Sequence, residues 1–139
     1  MIRSIERSLD KTYEWFNDIQ KELGWENPQM AFEASKAVLQ TLRDRLPVEE
    51  AAEFAAGLPM LMKGVYYEGY KPSRKPKRIK KAEDFYAEVQ KRTTQPIQPE
   101  DATKAVLTVI ESKISRGEIE DVLSNIPTKL RQIFIPKIK

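Results

Sequence analysis

The sequence predicts an all-α fold: a helical bundle of six to eight helices made of two similar halves related by a pseudo-two-fold. Three observations carry this. Apolar residues recur every three to four positions along most of the chain. The prolines fall between those periodic runs or at their first positions. A long stretch of the first half returns, without a gap, in the second half.

Ile2, Ile5, Leu9, Phe16 and Leu23 lie at helical spacing, with Tyr13 and Ile19 beside them, and Gly24 follows as a stop. This spacing predicts a helix over roughly 4–23. Asn27-Pro28 opens the next helix, because Asn caps orphan amides and Pro needs no partner at the first position. Its stripe is Ala31, Ala34, Val38, Leu42 and Leu46, and Pro47 ends it. Ala51, Phe54, Ala55 and Leu58 share a face of a short third helix. Pro59 resets the chain before Met60, Leu61, Met62, Val65 and Tyr66, a fourth short helix. Phe85, Tyr86 and Val89 mark a helix over roughly 81–92, and Thr93-Thr94-Gln95-Pro96 breaks it. Pro99 opens the following helix, with Glu100 and Asp101 suited to its positive end and Ala102, Val106, Val109, Ile110 and Ile114 as its stripe. Ser115 and Glu118 have capping-box spacing ahead of Ile119, Val122, Leu123 and Ile126. After Pro127 come Leu130, Ile133 and Phe134; the tail Ile135–Lys139 is expected to fray or to dock at the surface.

Sliding the chain by 68 residues sets Ala34 on Ala102, and Lys36-Ala37-Val38-Leu39 on Lys104-Ala105-Val106-Leu107. Glu50 meets Glu118, Pro59 meets Pro127, and the apolar positions of three successive helices stay in register. With two residues more, Trp15, Phe16 and Ile19 meet Phe85, Tyr86 and Val89, and Gln20-Lys21 meets Gln90-Lys91. Chance similarity of two amphipathic helices does not account for the shared Pro offset or the Lys-Ala-Val-Leu block. The units centre on residues 30–66 and 98–134. The expected organisation is one domain, 1–139, with a first repeat over about 9–67, a basic linker over 68–80 and a second repeat over about 81–134. Either half alone would bury little apolar surface against the entropy of ordering it, so a shared core is expected.

The stretch Ala37-Val38-Leu39-Gln40-Thr41-Leu42-Arg43-Asp44-Arg45-Leu46 resembles the domain of unknown function family 2267. So do Glu49–Pro59 and Met60–Gly69, and the second half repeats the pattern in Gly117–Val122 and Ile126-Pro127. The resemblance runs from about Ser8 to Phe134. It implies a small bacterial or archaeal all-helical protein with two similar halves, and no activity or catalytic residues come with it. The linker is richer in Lys and Arg than the family pattern requires.

The chain has no Cys and no His, which excludes disulfides, thiolate and imidazole metal sites, and the usual nucleophile–base pairs of hydrolases. No run has the length of a membrane span, and the N-terminus mixes charge into its apolar positions. A non-enzymatic, cytoplasmic protein without cofactor or metal is expected, serving as an interaction or structural module with a protein partner or as a homodimer. The alternative is weak binding of nucleic acid or another polyanion. The net charge of +3 permits that and does not demand it. Its candidate residues are Lys71, Arg74, Lys75, Lys77, Arg78, Lys80 and Lys81, which can neutralise phosphates, with Tyr66, Tyr67 and Tyr70 upstream as stacking surfaces. Against this, a linker crossing the surface is polar in any case. Glu49/Glu50/Glu53 and Glu118/Glu120/Asp121 read as helix-start carboxylates rather than metal ligands. Trp15, Phe16, Trp25, Phe32, Phe54 and Phe85 read as core before ligand pocket. Met60-Leu61-Met62 likewise reads as core first and as an adaptable partner groove second.

Overall fold

The computed structural model describes residues 1–72 and 76–134. Helix α1 (Arg3–Leu23) ends where expected, at Gly24. That residue has a φ of 73°, in the left-handed region a side chain disfavours, and its amide donates to the Gln20 carbonyl at 2.9 Å. Helix α2 (Pro28–Arg45) begins under Asn27, whose Oδ1 accepts from the amides of Gln29 and Met30. Pro47 separates it from α3 (Val48–Ala56), and Pro59 separates α3 from α4 (Met60–Tyr67). Beyond the linker come α5 (Ala82–Lys91), α6 (Pro99–Lys113) and α7 (Arg116–Ser124), then a 3-10 helix, Thr128–Phe134. The described residues contain no strand, and no helix among them is long and apolar enough to cross a membrane. The tail 135–139 lies outside the described residues.

Helices α2 and α6 pack against each other at the centre. Both are buried around much of their girth, α2 through Ala34, Ala37, Val38, Leu39 and Leu42, and α6 through Ala102, Val106, Leu107 and Ile110. The alanines let the two backbones approach closely. Helix α1 packs on α2 and on α6; α5 packs on α6 and on α2. Helix α4 covers α1 and α2, the 3-10 helix covers α5 and α6, and α3 packs on α7. The apolar core therefore crosses from one half of the chain to the other.

The element ends follow the sequence offset. Val48–Ala56 stands 68 residues before Arg116–Ser124, and Met60 stands 68 before Thr128. Polar contacts recur too. Ser35 Oγ donates to the Ala31 carbonyl and Thr103 Oγ1 to the Pro99 carbonyl, both at 2.8 Å. Gln20 Nε2 bonds the Trp25 carbonyl at 3.0 Å, and Gln90 Nε2 the Gln95 carbonyl at 3.1 Å. Two differences stand out. Helix α1 has 21 residues against 10 in α5, so its stretch before Thr12 has no counterpart. Tyr66, buried, donates its hydroxyl to the Ala51 carbonyl at 2.9 Å, a bond that Phe134 at the matching position lacks.

The Met60-Leu61-Met62 cluster is not all core: Met62 is fully buried, but Met60 and Leu61 point outward. Helix α4 has only eight residues and one face to bury, and its Met62 and Tyr66 take that face. Trp15, Phe54 and Phe85 are core as expected, whereas Phe16, Trp25 and Phe32 are half-buried at its edge.

The cap at Asn27 sets the start of the central helix. Asn27→Ala should lower stability by about 1 kcal/mol in urea unfolding. Gln98→Ala, at the uncapped start of α6, should change it by much less.

Candidate functional site

The basic linker is not a free strap. Ile79, flanked by Arg78 and Lys80, is buried in the core, the Lys77 amide donates to the Asp44 carbonyl at 2.8 Å, and Arg45 Nε donates to the Ile79 carbonyl at 2.7 Å. Beneath it lies a chain of charges. Arg43, on α2 and only 4 % exposed, donates through Nη1 to the carbonyls of Tyr66 (2.9 Å) and Glu68 (2.8 Å), satisfying the C-terminal end of α4. Its Nε and Nη2 grip both oxygens of Asp44, at 2.8 and 3.0 Å, and its guanidinium lies 5.1 Å from the ring centre of Tyr70. Asp44 also accepts from Arg92 Nη2 at 2.6 Å, at the end of α5. Arg92 reaches Glu88 at 3.5 Å, and Glu88 pairs with Lys77 at 2.6 Å. Burial alone would raise the pKa of Asp44, but its hydrogen bonds from Arg43 and Arg92 outweigh it and hold the carboxyl below its ordinary value. Glu88 is likewise held low: burial opposes, and the bond from Lys77 prevails.

The seven sequence-predicted cations separate. Lys77 is neutralised by Glu88. Lys71 lines a polar hollow of about 360 Å³ beside Tyr70, Arg43 and Arg92. Arg78 and Lys80 line a second hollow, of about 440 Å³, with Lys77, Arg45 and Lys129 and no carboxylate. Lys81 is exposed and starts α5 without a side-chain cap. Arg74 and Lys75 lie outside the described residues. Of the upstream tyrosines, Tyr66 is buried and closed to stacking, while Tyr67 and Tyr70 are half-buried with ring centres 6.0 Å apart.

An apolar opening lies elsewhere. Leu9, Tyr13, Phe16, Phe32, Leu61 and Val65 line a groove of about 540 Å³ between α1, the start of α2 and α4. Phe16 and Phe32 form its floor, with ring centres 5.2 Å apart. Upstream on α1, Ile5 and Ile2 prolong the stripe into solvent.

Residues 12–133 match the model of an uncharacterised conserved protein family, DUF2267. The chain belongs to DUF2267. No curated protein matches it significantly. The matched segment begins at Thr12, so Ile2, Ile5 and Leu9 precede the DUF2267 region, while the charge chain from Arg43 to Arg92 and both hollows fall within it.

In this DUF2267 protein α3 packs on α7 with the start of each helix beside the end of the other: Glu50 reaches Asn125, the C-cap of α7, and Glu118 lies against Gly57, the C-cap of α3. Glu50 is nearly buried and accepts from Asn125 Nδ2 at 3.1 Å. Burial, and then Glu53, Asp121 and Glu118 around it, raise its pKa. The Ser115 hydroxyl accepts from the Glu118 amide as the capping box requires, but Glu118 Oε2 is buried without a hydrogen-bond partner. Among the described residues no group of three or more acidic side chains could hold a metal ion.

Sequence reasoning missed Arg43, Asp44, Arg92 and Glu88. Arg43 stands one position from the stripe residue Leu42, and that adjacency was the available signal. The lone Ile79 between Arg78 and Lys80 was the signal for a docked linker.

Asp44→Ala strands the Arg43 charge in the core and should cost about 2–3 kcal/mol in urea unfolding at pH 7. Because the folded pKa of Asp44 lies below the unfolded value near 3.8, its contribution holds above that pH and fades as pH falls through the folded value. The gap between variant and parent should therefore shrink below pH 3.8. Lys77→Ala, at a half-exposed pair, should cost under about 0.5 kcal/mol.

Proposed function

We propose that the protein is a non-enzymatic interaction module of two duplicated units, and that the apolar face of α1 and α4 receives a protein partner. The groove of about 540 Å³ carries this reading. Its apolar lining continues onto exposed Ile2, Ile5, Tyr13, Met60 and Leu61. A contiguous apolar patch of that extent is uncommon on a monomer and marks a contact surface. Its shape, a trough between helices, suits the apolar side of an amphipathic helix. The residues that could do chemistry are engaged otherwise: Arg43 in closing α4, Asp44 in holding two guanidiniums, and Glu50 in holding Asn125.

The packing pattern supports duplication about a pseudo-two-fold. Exchanging α1 with α5, α2 with α6, α3 with α7, and α4 with the 3-10 helix maps the principal helix pairs onto one another. The pairs α2–α6 and α3–α7 map onto themselves, as elements astride such an axis would. The recurring Ser35/Thr103 and Gln20/Gln90 contacts follow the same exchange.

A second reading, polyanion binding, is favoured by the hollow of Arg45, Lys77, Arg78, Lys80 and Lys129. Lys77 is paired with Glu88, but the other four cations have no lining carboxylate and repel one another, and an anion relieves that repulsion. Single-stranded oligonucleotide should bind at low salt, with affinity falling steeply as salt rises. The double variant Arg78→Glu/Lys80→Glu should weaken binding at least tenfold by fluorescence anisotropy; equal binding by the variant refutes this reading.

The leading reading is tested by a photo-crosslinking amino acid at position 13 in the native host, with position 120 on α7 as control. A covalent protein adduct is expected from 13 and none from 120. No adduct from 13 removes the proposal.

A further inference from the structure

We propose that the apolar stripe of α1 is closed by a second copy of this chain, the two α1 helices lying antiparallel about Leu9. The inference rests on the reading of this face as a protein interface and names its occupant.

The first observation is a helix without support. Of its 21 residues α1 buries Thr12, Trp15 and Ile19, and none earlier. None of the nine residues from Arg3 to Lys11 is itself buried, and Ile2 starts the helix with no side-chain cap. A helical segment that short is marginal in water unless a packed face holds it. Its apolar side chains face outward: Ile2, Ile5 and Tyr13 leave 60–62 % of their surface in water and Leu9 41 %, and on neighbouring α4 Met60 and Leu61 leave 67 and 49 %.

The second observation is that the stripe is its own complement. Ile2, Ile5, Leu9, Tyr13 and Phe16 share one side of the helix. Turned end for end about Leu9, Ile2 meets Phe16, Ile5 meets Tyr13, and Leu9 meets Leu9. Every level of the stripe itself pairs apolar with apolar. Glu6 falls level with Thr12 of the second copy and Asp10 with Ser8, so no level opposes two carboxylates. Antiparallel helices also set opposite dipole ends side by side.

The third is shape. The groove lies at one end of the stripe, against Phe16, Phe32, Leu61 and Val65, and the protruding Ile2 and Ile5 lie at the other. An antiparallel pairing puts each copy's protrusion into the other's groove. A parallel pairing would crowd both grooves at one end and leave both protrusions bare. At roughly 100 Å² per side chain the six exposed residues supply about 600 Å² per copy, near the lower bound of a specific interface. A two-fold pairing is self-limiting and forms no filament.

Sedimentation velocity of the full chain should show concentration-dependent growth from 16.1 kDa toward twice that mass over the micromolar range. Leu9→Asp should keep the chain at the single mass, with a cooperative unfolding transition but a lower melting temperature and slightly less helical circular dichroism than the dimeric parent. The chain has no cysteine of its own, so register is testable. Leu9→Cys should link two copies on mild oxidation. Ile5→Cys alone should not link, but should link when mixed with Tyr13→Cys. A single mass at every concentration overturns the inference, as does a dimer that survives Leu9→Asp or links through Ile5→Cys alone. A purified monomer that nonetheless crosslinks to another protein from position 13 in the host would leave the interface reading standing and this inference refuted.

Discussion

The architecture depends on one constraint: α2 and α6 cannot be solvated separately. Each is buried on more than one side, and the sides that do not face its own half face the other half. Small residues at Ala34, Ala37, Ala102 and Ala105 let these helices pack closely, and longer side chains such as Leu39 and Leu107 fill the space around them. The outer helices follow. Helices α1 and α5 each lie on both central helices and seal the core from opposite ends of the sequence. The short elements α3, α4, α7 and the 3-10 helix close what remains.

The hydroxyls buried in that core, Ser35, Thr41 and Thr103, bond carbonyls of their own helices. Arg43 is the most deeply buried charge among the described residues, and it is tolerated because every part of its guanidinium has work. It takes two carbonyls at the end of α4, a carboxylate in a two-pronged grip, and a tyrosine ring. The carbonyls it satisfies would otherwise end α4 without partners. From Asp44 the charges run on through Arg92 and Glu88 to Lys77, tying α2 to α5 and to the linker. The linker thus joins the folded body at Lys77 and Ile79, while Arg78 and Lys80 between and beyond them stay exposed.

The helices were legible because their ends carry chemistry of their own. Asn27, Gly24, Ser115 and the prolines mark termini by what they do to backbone amides and dihedrals, and these effects are local. The apolar stripes were legible for the same reason. The charge chain was not. Arg43 and Asp44 look like exposed polar residues on a helix until a second element covers them, and what covers them comes from residues 66–70 and 92. Met60 and Leu61 erred in the opposite direction. Apolar character says that burial is favourable, but only packing decides which face of an eight-residue helix receives it. The hollow beneath Arg78 and Lys80 draws on Arg45 and Lys129, far away in sequence, and no linear pattern joins them.

The core shared by α2 and α6 has a consequence for how the protein is made. A nascent chain that has emerged only as far as the linker carries α2 with nothing to lay against its inner side. At about 5–20 residues per second the ribosome needs several seconds more to deliver α6. During that interval Val38, Leu39 and Leu42 stay accessible to chaperones and to other nascent chains. The first half must therefore wait for the second, and synthesis, rather than the packing step, sets when this protein can first fold.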